Sequence, residues 1–159
     1  MNYIKDNRVY LIDEITDISA EKCIEHIELA SYYDSDIIEL HISSPGGLVA
    51  SAQGIIDMIK SINKPIYSYI HNSYIYNGVA SAASVIVSNT HIKHIDNDAI
   101  FMIHHSSIKN KIIEDDDDIL YWMQYTNLDF ETINYLIKNE VKNDANTTLN
   151  LGFVDKILY

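Results

Sequence analysis

A chain of 159 residues, 47% of them hydrophobic, is long enough to bury one core and too apolar to be disordered. Its 11 basic against 23 acidic side chains leave a formal charge of −12, which excludes the basic footprint of a nucleic-acid-binding protein. A single cysteine excludes an intrachain disulfide, no apolar run approaches the ~20 residues of a membrane span, and "MNYIKDNR" does not read as a signal peptide. The expectation is a cytoplasmic protein with no nucleic-acid or membrane partner.

In chain order, "RVYLI" (8–12) is a short β-rich run. "SAEKCIEHIELASYY" (19–33) carries apolar residues at helical spacing, with Ser19 placed to cap it and Glu21 in its first turn. Cys23 lies inside this helix and reads as a small core residue rather than a reactive thiol. "DIIELHIS" (36–43) is apolar and β-branched, as a buried strand is; "SSPGG" ends it as a turn, and "LVASAQGIIDMIKSI" (48–62) reads as a helix. Pro65 opens the strand "PIYSYIH" (65–71), a position where proline is tolerated. The small-residue stretch "NGVASAASVI" (77–86) reads as a helix, and "HIKHID" (91–96) and "AIFMIH" (99–104) as two further strands. Repeated β-α units imply an α/β fold with a mostly parallel sheet and right-handed crossovers. No repeat, linker or boundary interrupts the chain, so one domain over 1–159 is expected.

The segment "EDDDDILYWMQYTNLDFETINYLIKNEV" (114–141) places Ile119, Trp122, Met123, Phe130, Ile133 and Ile137 on one helical face. Its leading acids complement a helix dipole and, being contiguous, lack the alternating spacing of a calcium loop. His91 and His94 are three apart on a strand, which splays them, and no cysteine or carboxylate cluster joins them. No metal and no cofactor are expected. Tyr74, Tyr76, Tyr121 and Trp122 read as exposed aromatics, which suit a subunit interface.

Three stretches carry chemistry. A serine is a weak nucleophile until a base takes its proton and donors await the oxyanion. A helix start offers free N–H groups, and the small residues of "GVASAAS" (78–84) would let a substrate backbone come close. The same small residues also allow a helix to pack tightly on a sheet, and both Ser81 and Ser84 are candidates. "SSPGG" (43–47) sets two glycines at a strand end, and "FMIHHSS" (101–107) sets histidine at another. Strand ends of a parallel sheet are where α/β proteins place their sites.

Together "SSPGG", "GVASAAS" and "MIH" resemble the ClpP family, the proteolytic subunit of the ATP-dependent Clp protease, within the crotonase-like fold. The resemblance runs from about Arg8 to His104 and resumes at "LGFVDKI" (151–157). Gly47 to Ser81 spans 34 residues and Ser81 to His104 spans 23, near the family's intervals. It implies a spiral of β-α units, with Ser81 as nucleophile, His104 as general base, and the backbone N–H groups of Gly47 and Ala82 as oxyanion hole. Ser84, one turn deeper, would pack against the sheet. His105 is the alternative base, but on a strand it would point away from His104. The family's triad aspartate falls at Leu136 here, flanked by Asn134 and Asn139, so no acid takes that place and Asp144 could supply a carboxylate from elsewhere. From His104 to Gly152 is 48 residues, fewer than in the family, so either the C-terminal handle helix is shortened or the helix that carries the aspartate is lost and residues 115–140 form the handle.

The resemblance further implies a homo-oligomeric heptameric ring, possible stacking into a double ring of 14 subunits, and peptide or unfolded-protein substrates. A ring-shaped AAA+ unfoldase is a possible partner, though only seven residues precede the first strand. The extra "NSYIY" (72–76) ahead of Gly78 could be a loop beside the substrate groove or a subunit contact. Three readings follow: a ClpP-type serine peptidase, a ring subunit with little or no activity because the acid is missing, and a crotonase-like enzyme of acyl thioesters. The Asn/Ile/Lys/Tyr-rich composition fits a phage or small-genome source.

Overall fold

The computed structural model describes residues 2–73, 76–108, 111–112 and 116–159. Tyr74 and the first acids of the run, Glu114 and Asp115, lie outside them. In chain order the elements are β1 (Asn2–Lys5), β2 (Arg8–Ile12), α1 (Asp17–Ser31), β3 (Ile38–Ser43), α2 (Val49–Ser61), β4 (Ile66–Ile70), β5 (Gly78–Ala80) and α3 (Ala82–Ser88). They continue with β6 (Ile92–Asp96), β7 (Ile100–Met102), β8 (Ser107–Ile108), β9 (Lys111–Ile112), α4 (Asp117–Tyr125), α5 (Phe130–Lys138), α6 (Ala145–Asn150) and β10 (Lys156–Leu158).

Alternation along the strands decides which face of the sheet is dry. Val9 and Leu11 of β2, Ile38, Leu40 and Ile42 of β3, and Ile66 and Ile70 of β4 are buried every second residue. They form one core with Ala20, Cys23 and Ile27 of α1 and Ile55 and Ile59 of α2, helices that pack on each other. The main sheet has the order β1-β2-β3-β4-β6-β10, parallel throughout except for β1 against β2. The intervening residues of the same strands stack on the other face: Tyr3, Tyr10, His41, Tyr69 and His94 follow one another at centroid separations of 4.1, 4.7, 4.9 and 4.5 Å. His94 is thus held by aromatic stacking, and His91 Nδ1 takes the Ile66 N–H at 3.0 Å. No helix among the described residues is long and apolar enough to cross a membrane.

Several expectations are corrected, beginning with the first strand, which is β1 at Asn2–Lys5 and not the run from Arg8. Helix α1 starts two residues earlier than Ser19, because Thr16 is its N-cap: Thr16 Oγ1 accepts the Ser19 N–H at 3.1 Å and Ser19 Oγ accepts the Thr16 N–H at 2.8 Å. The first residues of the small-residue stretch are a strand, β5, paired in parallel with β7, and a bridge from Ser44 to Val79 ties this pair to the main sheet. The C-terminal helical face is two helices, interrupted at Thr126, where Thr126 Oγ1 turns back to the Trp122 carbonyl and Asp129 caps the restart at Thr132 N–H, 2.8 Å away. The restart changes the helical phase, so Ile119, Trp122, Ile133 and Ile137 are buried while Met123 and Phe130 remain more than a third exposed. Trp122 is a core residue set edge-on to Phe101 and Phe153, and Tyr121 is half-buried with its hydroxyl on Ser88 and Asn89.

Burial pushes the Cys23 thiol up to about 12, which leaves essentially no thiolate at pH 8. The native protein should therefore resist a disulfide exchange reagent that labels the urea-unfolded chain within minutes. Rapid native labelling would contradict the packing of α1.

Candidate active site

The site is built where three strand ends meet. Ser81 is the junction residue between β5 and α3, with φ 56° and ψ −129°. A side chain in this left-handed region costs roughly 1–3 kcal/mol and persists only where its surroundings impose it. Here the Ser81 N–H donates to the Met102 carbonyl at 3.2 Å, and its own carbonyl accepts from Ser84 and Val85 at 3.0 and 3.3 Å. The sharp turn leaves the Ser81 hydroxyl without a hydrogen-bond partner among the described residues. Ser84, one turn on, is fully buried, and its Oγ–H donates to the same Met102 carbonyl at 2.7 Å. Met102 therefore pins the end of β7 to the elbow.

The "SSPGG" turn closes against this elbow. Gly46 has φ +94°, and a Cβ there would sit 2.7 Å from both the Ala80 carbonyl oxygen and Ser81 Cβ. Gly47 has φ +146° and lies on the Ile15 backbone. The turn is held by Ile15 N–H to Gly46 O at 2.7 Å and Leu48 N–H to Ile15 O at 2.8 Å. The N–H groups of Gly47 and Ala82 donate to no acceptor among the described residues. Ala82 N–H is the first of α3, so its freedom follows from the helix geometry itself.

β7 ends at Met102, so His104 and His105 are not on a strand. The expected opposition of their side chains is corrected: both line one cavity with Ser81, Gly47 and Ala82. His104 Nδ1 lies 2.6 Å from the His105 carbonyl oxygen. A carbonyl has no proton to give, so Nδ1 carries the N–H and Nε2 holds the free lone pair of a general base. His105 is buried, and both of its ring nitrogens lack hydrogen-bond partners among the described residues. Its Nδ1 stands 3.5 Å from Asp118 Oδ2.

The cavity has a volume of about 320 Å³. Val49, Ala52 and Ile56 of α2, Val85 of α3 and Trp122 of α4 supply its apolar lining, and Ser81, His104, His105 and Asp118 line it with polar groups. The carboxylates weighed from the sequence are elsewhere. Leu136 is buried in α5, and Asp144 caps α6, where the Thr147 N–H at 2.7 Å holds its carboxyl below the usual range. Two acids in the first turn of α4, Asp117 and Asp118, do line the cavity, and Asp118 accepts the Ser106 N–H at 2.7 Å and the Ser106 hydroxyl at 2.9 Å. The acid run marks α4's start in the sequence, but nothing in it singles out which acid turns inward.

A strand-to-helix serine in left-handed conformation, at the strand ends of a parallel α/β sheet and beside a histidine, has the geometry of a nucleophile elbow. The Clp protease family model matches residues 1–121, and the chain belongs to that family. Among solved structures, it is similar to the ClpP protease catalytic domain from Plasmodium falciparum, with a TM-score of 0.76 and 23% identity over 96% of this chain and 85% of that one. That likeness shows the mixed α/β fold with its mostly parallel sheet. A search among curated proteins found no match.

Proposed function

We propose that this chain is a serine-type endopeptidase subunit of a self-compartmentalised, cytoplasmic Clp-type protease. The observation that carries the reading is the convergence, in one cavity, of a strained serine, a histidine whose Nδ1 lies on the His105 carbonyl so that Nε2 is the nitrogen left to act as base, and two backbone N–H groups unpartnered among the described residues. Ser81 Oγ attacks the peptide carbonyl while His104 Nε2 takes its proton, and the new oxyanion accepts from Gly47 and Ala82. The C–N bond then breaks as Nε2 returns the proton to the departing amine, and water cleaves the acyl-enzyme by the same steps. The apolar lining of Val49, Ala52, Ile56 and Val85 favours an apolar side chain next to the cleaved bond.

Assembly into a heptameric ring, stacked or single, is part of the proposal. Leu120 on α4 and Tyr135 on α5 are 49% and 62% exposed, apolar surface that a subunit contact would cover. A docked unfoldase belongs to the same reading. A second reading, a ring subunit without chemistry, is favoured by one observation: no carboxylate touches His104 among the described residues.

A fluorophosphonate probe separates them. The expected result is one adduct per native chain by intact mass, none on the acid-unfolded chain, with cleavage of a fluorogenic peptide and no hydrolysis of an acyl-CoA. A ring that takes no label would establish the second reading. Hydrolysis of the acyl-CoA alone would establish a thioesterase.

A further inference from the structure

We propose that Asp118 acts as the missing acid at one remove, through the peptide group that joins His105 to Ser106. The inference rests on the proposed roles of Ser81 and His104. His104 Nδ1–H donates to the carbonyl of that peptide group at 2.6 Å. The N–H of the same peptide group, that of Ser106, donates to Asp118 Oδ2 at 2.7 Å. The histidine and the carboxylate are thus the two ends of one hydrogen-bonded chain, with a single amide between them.

An amide that gives its N–H to an anion becomes more polarised, and its carbonyl becomes a stronger acceptor. The carbonyl of His105 is therefore a better partner for Nδ1–H than an ordinary backbone oxygen. It holds the ring in the tautomer that leaves Nε2 free, and it stabilises the imidazolium formed when Nε2 takes the Ser81 proton. No proton travels along the chain: Nδ1 keeps its hydrogen, Ser106 keeps its N–H, and Asp118 stays ionised. Asp118 is a positioning residue in this scheme, because it acts only through the amide.

The carboxylate is itself held in place. Ser106 Oγ–H donates to Oδ1 at 2.9 Å, His105 Nδ1 stands 3.5 Å from Oδ2, and the Asp118 side chain is 23% exposed. The other titratable groups lining the cavity are His105, Asp117 and Tyr121. A rival acid outside the cavity lining is Glu140, three residues before Asn143, which bridges to Phe101, three residues before His104. Glu140 is exposed, in left-handed backbone (φ 46°), and its carboxylate has no hydrogen-bond partner among the described residues.

Asp118→Asn keeps the shape and an oxygen for the Ser106 N–H but removes the charge. The expected result is a kcat lower by roughly 10- to 100-fold with KM little changed. The acid limb of the pH–rate profile should also move to lower pH, because the protonated ring loses its distant counter-charge. A residue that merely props the loop would lower activity and thermal stability and leave the limb in place, which would overturn the proposal. A limb moved by Glu140→Gln and unmoved by Asp118→Asn would overturn it too. Where Asp118→Asn fails to fold, Asp118→Glu carries the comparison, with the charge kept and a smaller displacement expected.

A readout independent of turnover separates this inference from the peptidase reading. In histidine-selective 15N spectra, His104 should show the Nδ1–H tautomer, with its ring proton moving upfield in Asp118→Asn. That signature without fluorophosphonate labelling would sink the peptidase reading alone. Normal labelling with a ring proton indifferent to Asp118→Asn would sink the relay alone.

Discussion

Ser81→Ala should reduce peptide cleavage by roughly 10⁴-fold or more and remove the fluorophosphonate adduct, with the unfolding midpoint unchanged. The stability half of this expectation follows from the elbow. The Ser81 hydroxyl makes no hydrogen bond among the described residues, and alanine at φ 56° pays the same backbone strain as serine. Ser84→Ala should do the reverse. Its hydroxyl is fully buried on the Met102 carbonyl at 2.7 Å, so its loss should cost about 1 kcal/mol of stability. Cleavage should fall only a few-fold, because Met102 retains the Ser81 N–H. Intact-mass labelling and urea melts on the two variants make the check. Labelling that survives Ser81→Ala and vanishes in Ser84→Ala would move the nucleophile one turn along the helix.

Gly47→Ala should be the most damaging single methyl in the chain's turns. A Cβ at this position would lie 2.2 Å from the Ile15 carbonyl oxygen, with φ +146° disfavouring any side chain. Relief requires the turn to leave Ile15, which breaks the bonds from Ile15 N–H to Gly46 O and from Leu48 N–H to Ile15 O. Strain and two lost hydrogen bonds amount to about 3 kcal/mol. The displaced N–H would no longer meet the oxyanion, and the loss of one such donor costs roughly 10²–10³ in kcat. Gly152→Ala provides the contrast. Gly152 has φ +81°, but a Cβ there meets nothing within 4 Å. That variant should lose only about 1–2 kcal/mol and keep full activity. Equal urea midpoints for the two variants would show that the turn does not rest on Ile15.

Particular residues show where local pattern suffices. The strand "RVYLI" is β2 to the residue, because period-2 alternation is a property of the chain itself and needs no partner to be legible. The α2 and β4 segments lie within one residue of their predicted bounds, flagged by a glycine turn and by Pro65. The roles of Gly47, Ser81, Ala82 and His104 come from the resemblance to the ClpP family rather than from local pattern, and the fold brings all four to one cavity. Local pattern failed at residues 77–80, where small side chains suit both a helix and a strand. The pairing of β5 with β7 settles it, and a Cβ on Gly78 would come within 2.0 Å of the Ile100 oxygen. It failed again at 114–141, where a helical face was continued across the Thr126 interruption.

The alternating β-α architecture and the glycine turn were legible in the chain alone, because they depend on side-chain type and short-range spacing, which a chain carries unfolded. The choice of Ser81 over Ser84 and of His104 as base came from the resemblance to the ClpP family. Only the folded chain shows that Ser81 is strained, that His104 and His105 face one cavity, and that Asp118 reaches Ser106 across 12 residues. The last depends on how α4 docks beside the end of β7, a long-range packing choice made by Trp122 against Phe101 and Phe153. No local periodicity encodes which of several consecutive acids a docked helix turns inward, because that choice is made by the core it packs against.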